Sequence, residues 1–187
     1  MEKMVCADDI LFQEVDAYLD TNAPDKRVVL TQYSDDYPLN KLYKIDSLIN
    51  ELTDRVIWLK SGANLIIDYT EAMTVIDINT GKSIKDKNDN HILSTNMEAV
   101  EEAIRQIRLR NLSGMILLDC INDNEENTNK LIEYIKELTK RESVTTRYID
   151  ITGLGIIELT RAKQLAPITE ILKKPKFTQN KRDLRLT

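Results

Sequence analysis

TVIDIN (residues 74–79) and MILLD (residues 115–119) are two short apolar segments, and each carries an aspartate at or near its end. Their length and composition are typical of β-strands. The chain between them carries an apolar stripe at helical spacing, formed by Val100, Ala103, Ile104 and Ile107. A strand, a crossover helix and a second parallel strand bring the two strand ends to the same edge of one sheet. The sequence therefore predicts that Asp77 and Asp119 lie close together.

Two neighbouring carboxylates repel each other unless a proton or a cation lies between them. Proteins hold Mg²⁺ with hard oxygen ligands from one or two residues and leave positions open for water and phosphate. Asn79 is expected on the same face as Asp77, because side chains in a strand repeat every two residues. The pattern thus indicates a magnesium site for phosphate chemistry. The alternative is that Asp77 and Asp119 only cap loops at strand ends, and the residues alone favour neither interpretation.

The remaining pattern predicts an α/β fold in which a mixed sheet is flanked by helices. Residues 64–68 and 73–78 are expected to form an antiparallel hairpin. Further strands are predicted at residues 27–33, 55–60, 145–151 and 153–159, and further helices at residues 8–19, 42–52, 168–173 and after residue 125. Residues 79–93 are polar and are predicted to form a long loop. TNME at residues 95–98 fits a capping box, which predicts that the crossover helix begins there.

Composition sets limits on the class of protein. The chain has 187 residues and a formal net charge of −5, which argues against a stand-alone nucleic-acid binder but not against a catalytic module. Cys6 and Cys120 are too few for a disulfide framework or a zinc site. No apolar run is long enough to cross a bilayer, and the N-terminal residues lack a signal-peptide core. A cytoplasmic location without a membrane partner is therefore expected.

Four segments in the same order resemble motifs of the ribonuclease E/G endoribonucleases. They are GANLIIDYTEAMTVIDINTG (residues 62–81), NMEA (96–99), RQIRLRNLSGMILLD (105–119) and GIIELTR (155–161). The similarity runs from about the first helix to about Ile171. Several matches in register are far more specific than a single strand that carries an aspartate.

The resemblance implies roles for particular residues. Asp77 and Asp119 would hold Mg²⁺, and Asn79 would support the site, so that all three are candidate catalytic residues. The family cuts single-stranded RNA with a metal-assisted water and leaves a 5′-phosphate and a 3′-hydroxyl. A non-catalytic scaffold or RNA-capture module of a larger ribonuclease is the alternative. A magnesium-dependent signalling or phosphotransfer domain ranks last, because it does not explain the matched arginine-rich helix.

The resemblance also implies a domain organisation. Residues 1–60 are expected to be a remnant of an RNase H-like region, residues 61–172 a DNase I-like catalytic subdomain, and residues 173–187 a basic, disordered tail. Full-length members carry an S1-type RNA-binding barrel, a sensor for the RNA 5′ end and a paired-cysteine zinc link used in assembly. A homo-oligomer is therefore expected of the full-length protein.

Basic residues near the acidic pair are candidates for RNA contacts. Lys82, just beyond the first aspartate, and Arg110, at the end of the crossover helix, are the two predicted RNA-binding residues. An ordinary surface lysine is nearly as good an interpretation of Lys82. Arg105 is explained equally well by pairing with acidic neighbours on a solvated helix face.

Overall fold

The computed structural model describes residues 3–80 and 89–173. Contacts divide the chain into two compact units, Met1–Glu51 and Leu52–Thr187. The predicted RNA contact Lys82 and all of the predicted disordered tail except Lys173 lie outside the described residues. The assignment of residues 1–60 to a remnant of an RNase H-like region stays a prediction. None of the described helices combines the length and apolar character needed to cross a membrane.

The first unit is built around a short parallel pair of strands, β1 (Met4–Cys6) and β2 (Leu30–Gln32). Helix α1 (Asp9–Asn22) connects them and begins at Asp8, whose carboxylate accepts a hydrogen bond from the Leu11 N–H at 2.8 Å. The predicted strand at residues 27–33 is wrong in its first half, because Pro24–Val29 form a 3₁₀-helix. Arg27 in this turn forms ion pairs with Asp16 and Asp20 of α1.

Two short helices, α2 (Leu39–Leu42) and α3 (Ile45–Glu51), complete the first unit. The sequence predicted one helix at residues 42–52. The helix is interrupted at Lys44, whose φ of 52° lies in the left-handed region that a continuous α-helix cannot contain.

The second unit contains a six-stranded mixed sheet with the order β3-β4-β5-β6-β8-β7. Its strands are β3 (Val56–Trp58), β4 (Asn64–Tyr69), β5 (Met73–Asn79), β6 (Gly114–Asp119), β7 (Thr146–Ile151) and β8 (Ile157–Arg161). Only β5 and β6 are parallel to each other, and the other neighbouring pairs are antiparallel. The predicted α/β fold with a mixed sheet is therefore confirmed.

Helices α4 (Asp89–Leu109) and α5 (Glu125–Lys140) cover one face of this sheet, and a short helix α6 (Ile168–Lys173) follows β8. The core between sheet and helices is apolar and nearly inaccessible to solvent. Its members include Leu65, Ile76, Ile116, Leu118 and Leu159 from the sheet, and Val100, Ala103, Ile107, Leu131 and Ile135 from the helices. In each central strand the alternate residues face away from this core.

The crossover helix α4 begins before the predicted capping box. Asp89 is its first residue, and Thr95 lies within the helix, where its hydroxyl donates to the carbonyl of His91 at 2.8 Å. The carboxylate of Glu98 accepts hydrogen bonds from the N–H groups of Lys60 and Ser61, at 2.9 Å and 3.3 Å. Glu98 thus anchors the β3–β4 turn to α4 instead of capping a helix.

Candidate active site

Asp77 and Asp119 are direct partners in the parallel register of β5 and β6. Neighbouring strands lie roughly 4.8 Å apart, and register partners project from the same face of a sheet. Asp77 is half-buried and Asp119 is exposed. The structure therefore brings the two predicted carboxylates together at one sheet edge, as the crossover pattern indicated.

Alternation along β5 and β6 explains why both aspartates face away from the core. Ile76 and Ile78, on either side of Asp77, are buried, and Leu118 before Asp119 is fully buried. A shift of either strand by one residue would place a carboxylate in the core, so burial of these apolar side chains fixes the register. The hydrophobic pattern thus determines the geometry of the acidic pair.

Asn79 contacts the first carboxylate directly. Its side-chain amide donates a hydrogen bond to Oδ2 of Asp77 at 2.8 Å. The bond orients the carboxylate and leaves Oδ1 of Asp77 and the amide oxygen of Asn79 without hydrogen bonds to the described residues. Two carboxylates and an amide oxygen are hard donors of the kind that Mg²⁺ prefers.

The described residues provide no ion-pair partner for either carboxylate. No lysine or arginine within residues 3–80 and 89–173 forms an ion pair with Asp77 or Asp119. The same residues contain no group of three or more His, Cys, Asp or Glu side chains that could hold a metal ion. Two carboxylates alone could hold only a cation that completes its shell with water and phosphate oxygens.

A residue that the sequence analysis placed in the capping box supports the second strand end. The side chain of Asn96, which is 1% exposed, donates to the carbonyl of Ile121 at 2.8 Å and accepts from the Ile121 N–H at 3.0 Å. These two bonds fix the chain immediately after Asp119. The match of Asn96 to the NMEA motif was the available signal, but it did not reveal this contact.

A polar cavity of about 260 Å³ lies beyond Asp119, between the β6–α5 loop and the β7–β8 turn. Cys120, Asn122, Asp123, Thr128 and Thr152 are among its lining residues. Burial, with the charge of Asp119 as a smaller cause, raises the pKa of the Cys120 thiol to about 12. Cys120 is therefore a neutral, partly buried side chain packed against the core.

Two other aspartates form hydrogen bonds with residues outside the acidic pair. Asp68, on β4, forms a bidentate ion pair with Arg55, in which both N···O distances are 2.7 Å. Asn124, and not Asp123, caps the following helix, because the side chain of Asn124 accepts the capping hydrogen bond. The Asp123 carboxylate instead accepts from the side-chain amide of Asn127.

Arg110 lies away from the acidic pair. It is 5% exposed, and its guanidinium Nε donates to the side-chain oxygen of Gln106 at 2.8 Å. Burial lowers the pKa of this guanidinium. Because α4 returns the chain to the start of β6, Arg110 precedes that strand whereas Asp119 ends it. Arg110 is thus buried at the opposite end of the strands from the acidic pair, and this position fits a structural role better than an RNA contact.

The fold and the acidic pair define the class: an α/β protein in which two neighbouring carboxylates lie at the end of two parallel strands. The sequence model that describes the ribonuclease E/G family matches residues 1–164 of this chain. The chain therefore belongs to the ribonuclease E/G family.

Relatives of known name support the same assignment. Ribonuclease G of Salmonella typhimurium (strain SL1344) is 36% identical over 151 residues, which cover 80% of this chain and 31% of that protein. Ribonuclease G of Haemophilus influenzae is 32% identical over 174 residues, with 92% and 35% covered. A ribonuclease E/G-like protein, chloroplastic, of Arabidopsis thaliana is 29% identical over 179 residues, with 94% and 18% covered. The chain thus spans about a third of the length of the two bacterial relatives.

Proposed function

We propose that this chain is the Mg²⁺-dependent catalytic core of an endoribonuclease that cleaves single-stranded RNA and leaves 5′-phosphate and 3′-hydroxyl ends. The observation that carries the proposal is the register pairing of Asp77 with Asp119 in a member of the ribonuclease E/G family. The cytoplasmic location and the homo-oligomeric assembly expected of the longer protein belong to the same proposal.

The chemistry follows from the donor set. When bound, Mg²⁺ would polarise a phosphoryl oxygen, lower the pKa of a coordinated water and offset the charge that develops on the phosphate. Asp77 and Asp119 would hold it, and the hydrogen bond from Asn79 keeps the Asp77 carboxylate in one orientation. Asp119 is exposed, so an RNA phosphate can approach the pair from solvent.

Cleavage of a short fluorescent single-stranded RNA, in Mg²⁺ and in EDTA, tests the proposal. Asp77→Asn and Asp119→Asn keep the side-chain shape but remove the charge, and each is expected to lower the rate by about a hundredfold or more. Asp68→Asn is the matched control, because Asp68 lies on the same sheet but forms an ion pair with Arg55. Its rate is expected to stay near that of the unchanged chain.

Binding of the same RNA by Asp119→Asn distinguishes loss of chemistry from loss of capture. We expect binding to persist while cleavage is lost. Cleavage that continues in EDTA, or that survives in both aspartate variants, would contradict the proposal. RNA that is bound but never cut by the unchanged chain would favour the non-catalytic capture module.

A further inference from the structure

Trp58, the only tryptophan of the chain, is 70% exposed at the end of β3. Its neighbour Ile57 packs against the hydrophobic core, so alternation directs the Trp58 ring to the opposite face of the sheet. An aromatic ring exposed to this degree offers a flat apolar surface on which another ring can stack. Trp58 therefore presents an aromatic surface that the described residues leave largely uncovered.

The register places this ring in one row with the acidic site. Trp58 pairs with Asn64 in the antiparallel register of β3 and β4, and Asn64 pairs with Asn79 in that of β4 and β5. Direct partners share a face, and Asn79 is hydrogen-bonded to Asp77. Trp58 is thus two strand spacings, roughly 10 Å, from Asn79 on the face that carries the carboxylates.

The strand that carries Trp58 is held firmly. The Leu59 N–H donates to the carbonyl of Ala63 at 2.9 Å and closes the turn after the strand. Lys60 and Ser61 then donate their N–H groups to Glu98 of α4. Because the backbone beside the ring is already fixed, a partner that stacks on it has to order only the side chain.

We propose that Trp58 stacks an unpaired nucleobase of the single-stranded RNA that is cleaved at Asp77 and Asp119, at a position near the scissile phosphate but separate from it. The inference rests on the proposed function. Aromatic side chains on sheet faces bind unpaired bases in this way, and stacking accepts every base because each has a π-face. The exposed side chain of Lys60, two residues along the chain, adds a positive charge beside the path of the RNA backbone.

Intrinsic fluorescence measures the contact directly, because Trp58 is the only tryptophan. The Asp119→Asn variant in EDTA is titrated with a short single-stranded RNA, and in parallel with an oligonucleotide of equal length and charge whose bases are absent. We expect the RNA to quench the fluorescence and the abasic strand to leave it nearly unchanged. Equal responses to both strands, or no response to either, would overturn the inference.

Substitutions test the energetic contribution. Trp58→Ala is expected to weaken RNA binding by about tenfold, and Trp58→Phe to restore most of the affinity, because stacking contributes about 1–3 kcal/mol per base. Leu165→Ala is the matched control, since Leu165 is 69% exposed in a segment that hydrogen-bonds the residues before β6. Thermal unfolding of each variant checks that the fold is unchanged. An affinity of Trp58→Ala equal to that of the control would indicate that another partner covers the ring, and would reject the inference.

The experiments distinguish a failure of the stacking proposal from a failure of the endoribonuclease proposal. The fluorescence and affinity measurements need neither Mg²⁺ nor cleavage, so base-dependent quenching without cleavage would retain the stacking role and contradict the endoribonuclease. Conversely, if the unchanged chain cleaves RNA and Trp58→Ala cleaves it with an unaltered KM, the endoribonuclease stands and the stacking role is overturned.

Discussion

At the scale of single residues, the hydrogen bond between Asn79 and Asp77 is the contact closest to the proposed chemistry. Groups that orient a metal ligand typically contribute tenfold to a hundredfold to affinity or activity. We expect Asn79→Ala to lower cleavage by that factor and to raise the Mg²⁺ concentration needed for half-maximal rate. A Mg²⁺ titration of the cleavage rate measures both quantities. Asn40→Ala, in the first unit, should leave both unchanged.

Cys120 supplies a residue-scale prediction about pH. Its pKa of about 12 means that the thiolate fraction at pH 8 is on the order of 10⁻⁴, and only the thiolate reacts with alkylating reagents. We expect Cys120 in the folded chain to resist iodoacetamide at pH 8 and to react rapidly once urea unfolds it. Mass spectrometry of the digested chain locates the modified cysteine. Alkylation at an equal rate in the folded and unfolded chain would contradict this environment for Cys120.

Arg110 shows what residue-scale reasoning from sequence could not supply. The sequence placed it at the end of the crossover helix, which is correct, but the end of that helix lies at the edge where β6 begins. The acidic pair lies at the edge where β6 ends. The bond to Gln106 joins positions i and i+4 and is local, but burial of the guanidinium depends on tertiary contacts that no local pattern encodes. Asp77, Asp119 and Asn79 could be grouped because strand alternation and the crossover rule are themselves local.

At the scale of elements, Arg161 joins the end of β8 to the turn between α4 and β6. Its Nη1 donates to the Asn111 side chain at 3.1 Å and to the carbonyl of Leu112 at 2.8 Å, and the residue is 4% exposed. Hydrogen bonds from a charged donor contribute about 1.5–3 kcal/mol each. We expect Arg161→Met to lower the free energy of unfolding by about 3 kcal/mol, measured in urea.

The control for Arg161 is Arg147→Met. Arg147 is an exposed arginine on the neighbouring strand β7, and its replacement should change the free energy of unfolding by less than about 0.5 kcal/mol. Equal destabilisation by the two substitutions would show that the buried hydrogen bonds of Arg161 contribute nothing beyond the loss of a charge. Cleavage by both variants should persist under conditions in which they are folded.

The elements that sequence predicted well are those whose pattern repeats over several turns or residues. The crossover unit and the hairpin of β4 and β5 have such patterns, and both are observed. The sequence predicts too late a start for α4, because residues 89–94 contain only two apolar residues, Ile92 and Leu93, and the TNME match offers a plausible but incorrect cap. The β-branched Val28 and Val29 favour a strand by propensity, but the turn at Pro24 and the ion pairs of Arg27 favour a 3₁₀-helix.

At the scale of the whole molecule, the second unit separates the core that stabilises it from the residues proposed to carry the chemistry. Helices α4 and α5 bury one face of the sheet, and this face supplies the apolar core. The other face carries the carboxylate pair, Asn79 and Trp58, so substitutions there can change function with little effect on folding. This division explains why one strand pattern specifies both the core and the candidate site. Along β5 and β6, every second residue packs in the core, and the residues between them face the side of the acidic pair.

The repulsion between Asp77 and Asp119 leads to a final prediction, which concerns the thermal stability of the whole molecule and not its activity. In EDTA the two carboxylates have no ion-pair partner among the described residues, so Asp119→Asn should remove a repulsion and unfold at a higher temperature than the unchanged chain. Mg²⁺ at ten times its dissociation constant should then stabilise the unchanged chain by about 1.4 kcal/mol, since a ligand that binds only the folded state shifts the unfolding equilibrium. The Asp119→Asn variant should lose most of this response. Calorimetry of both forms across a Mg²⁺ series measures the two effects, and an equal response of the two forms would show that the pair is not the cation site.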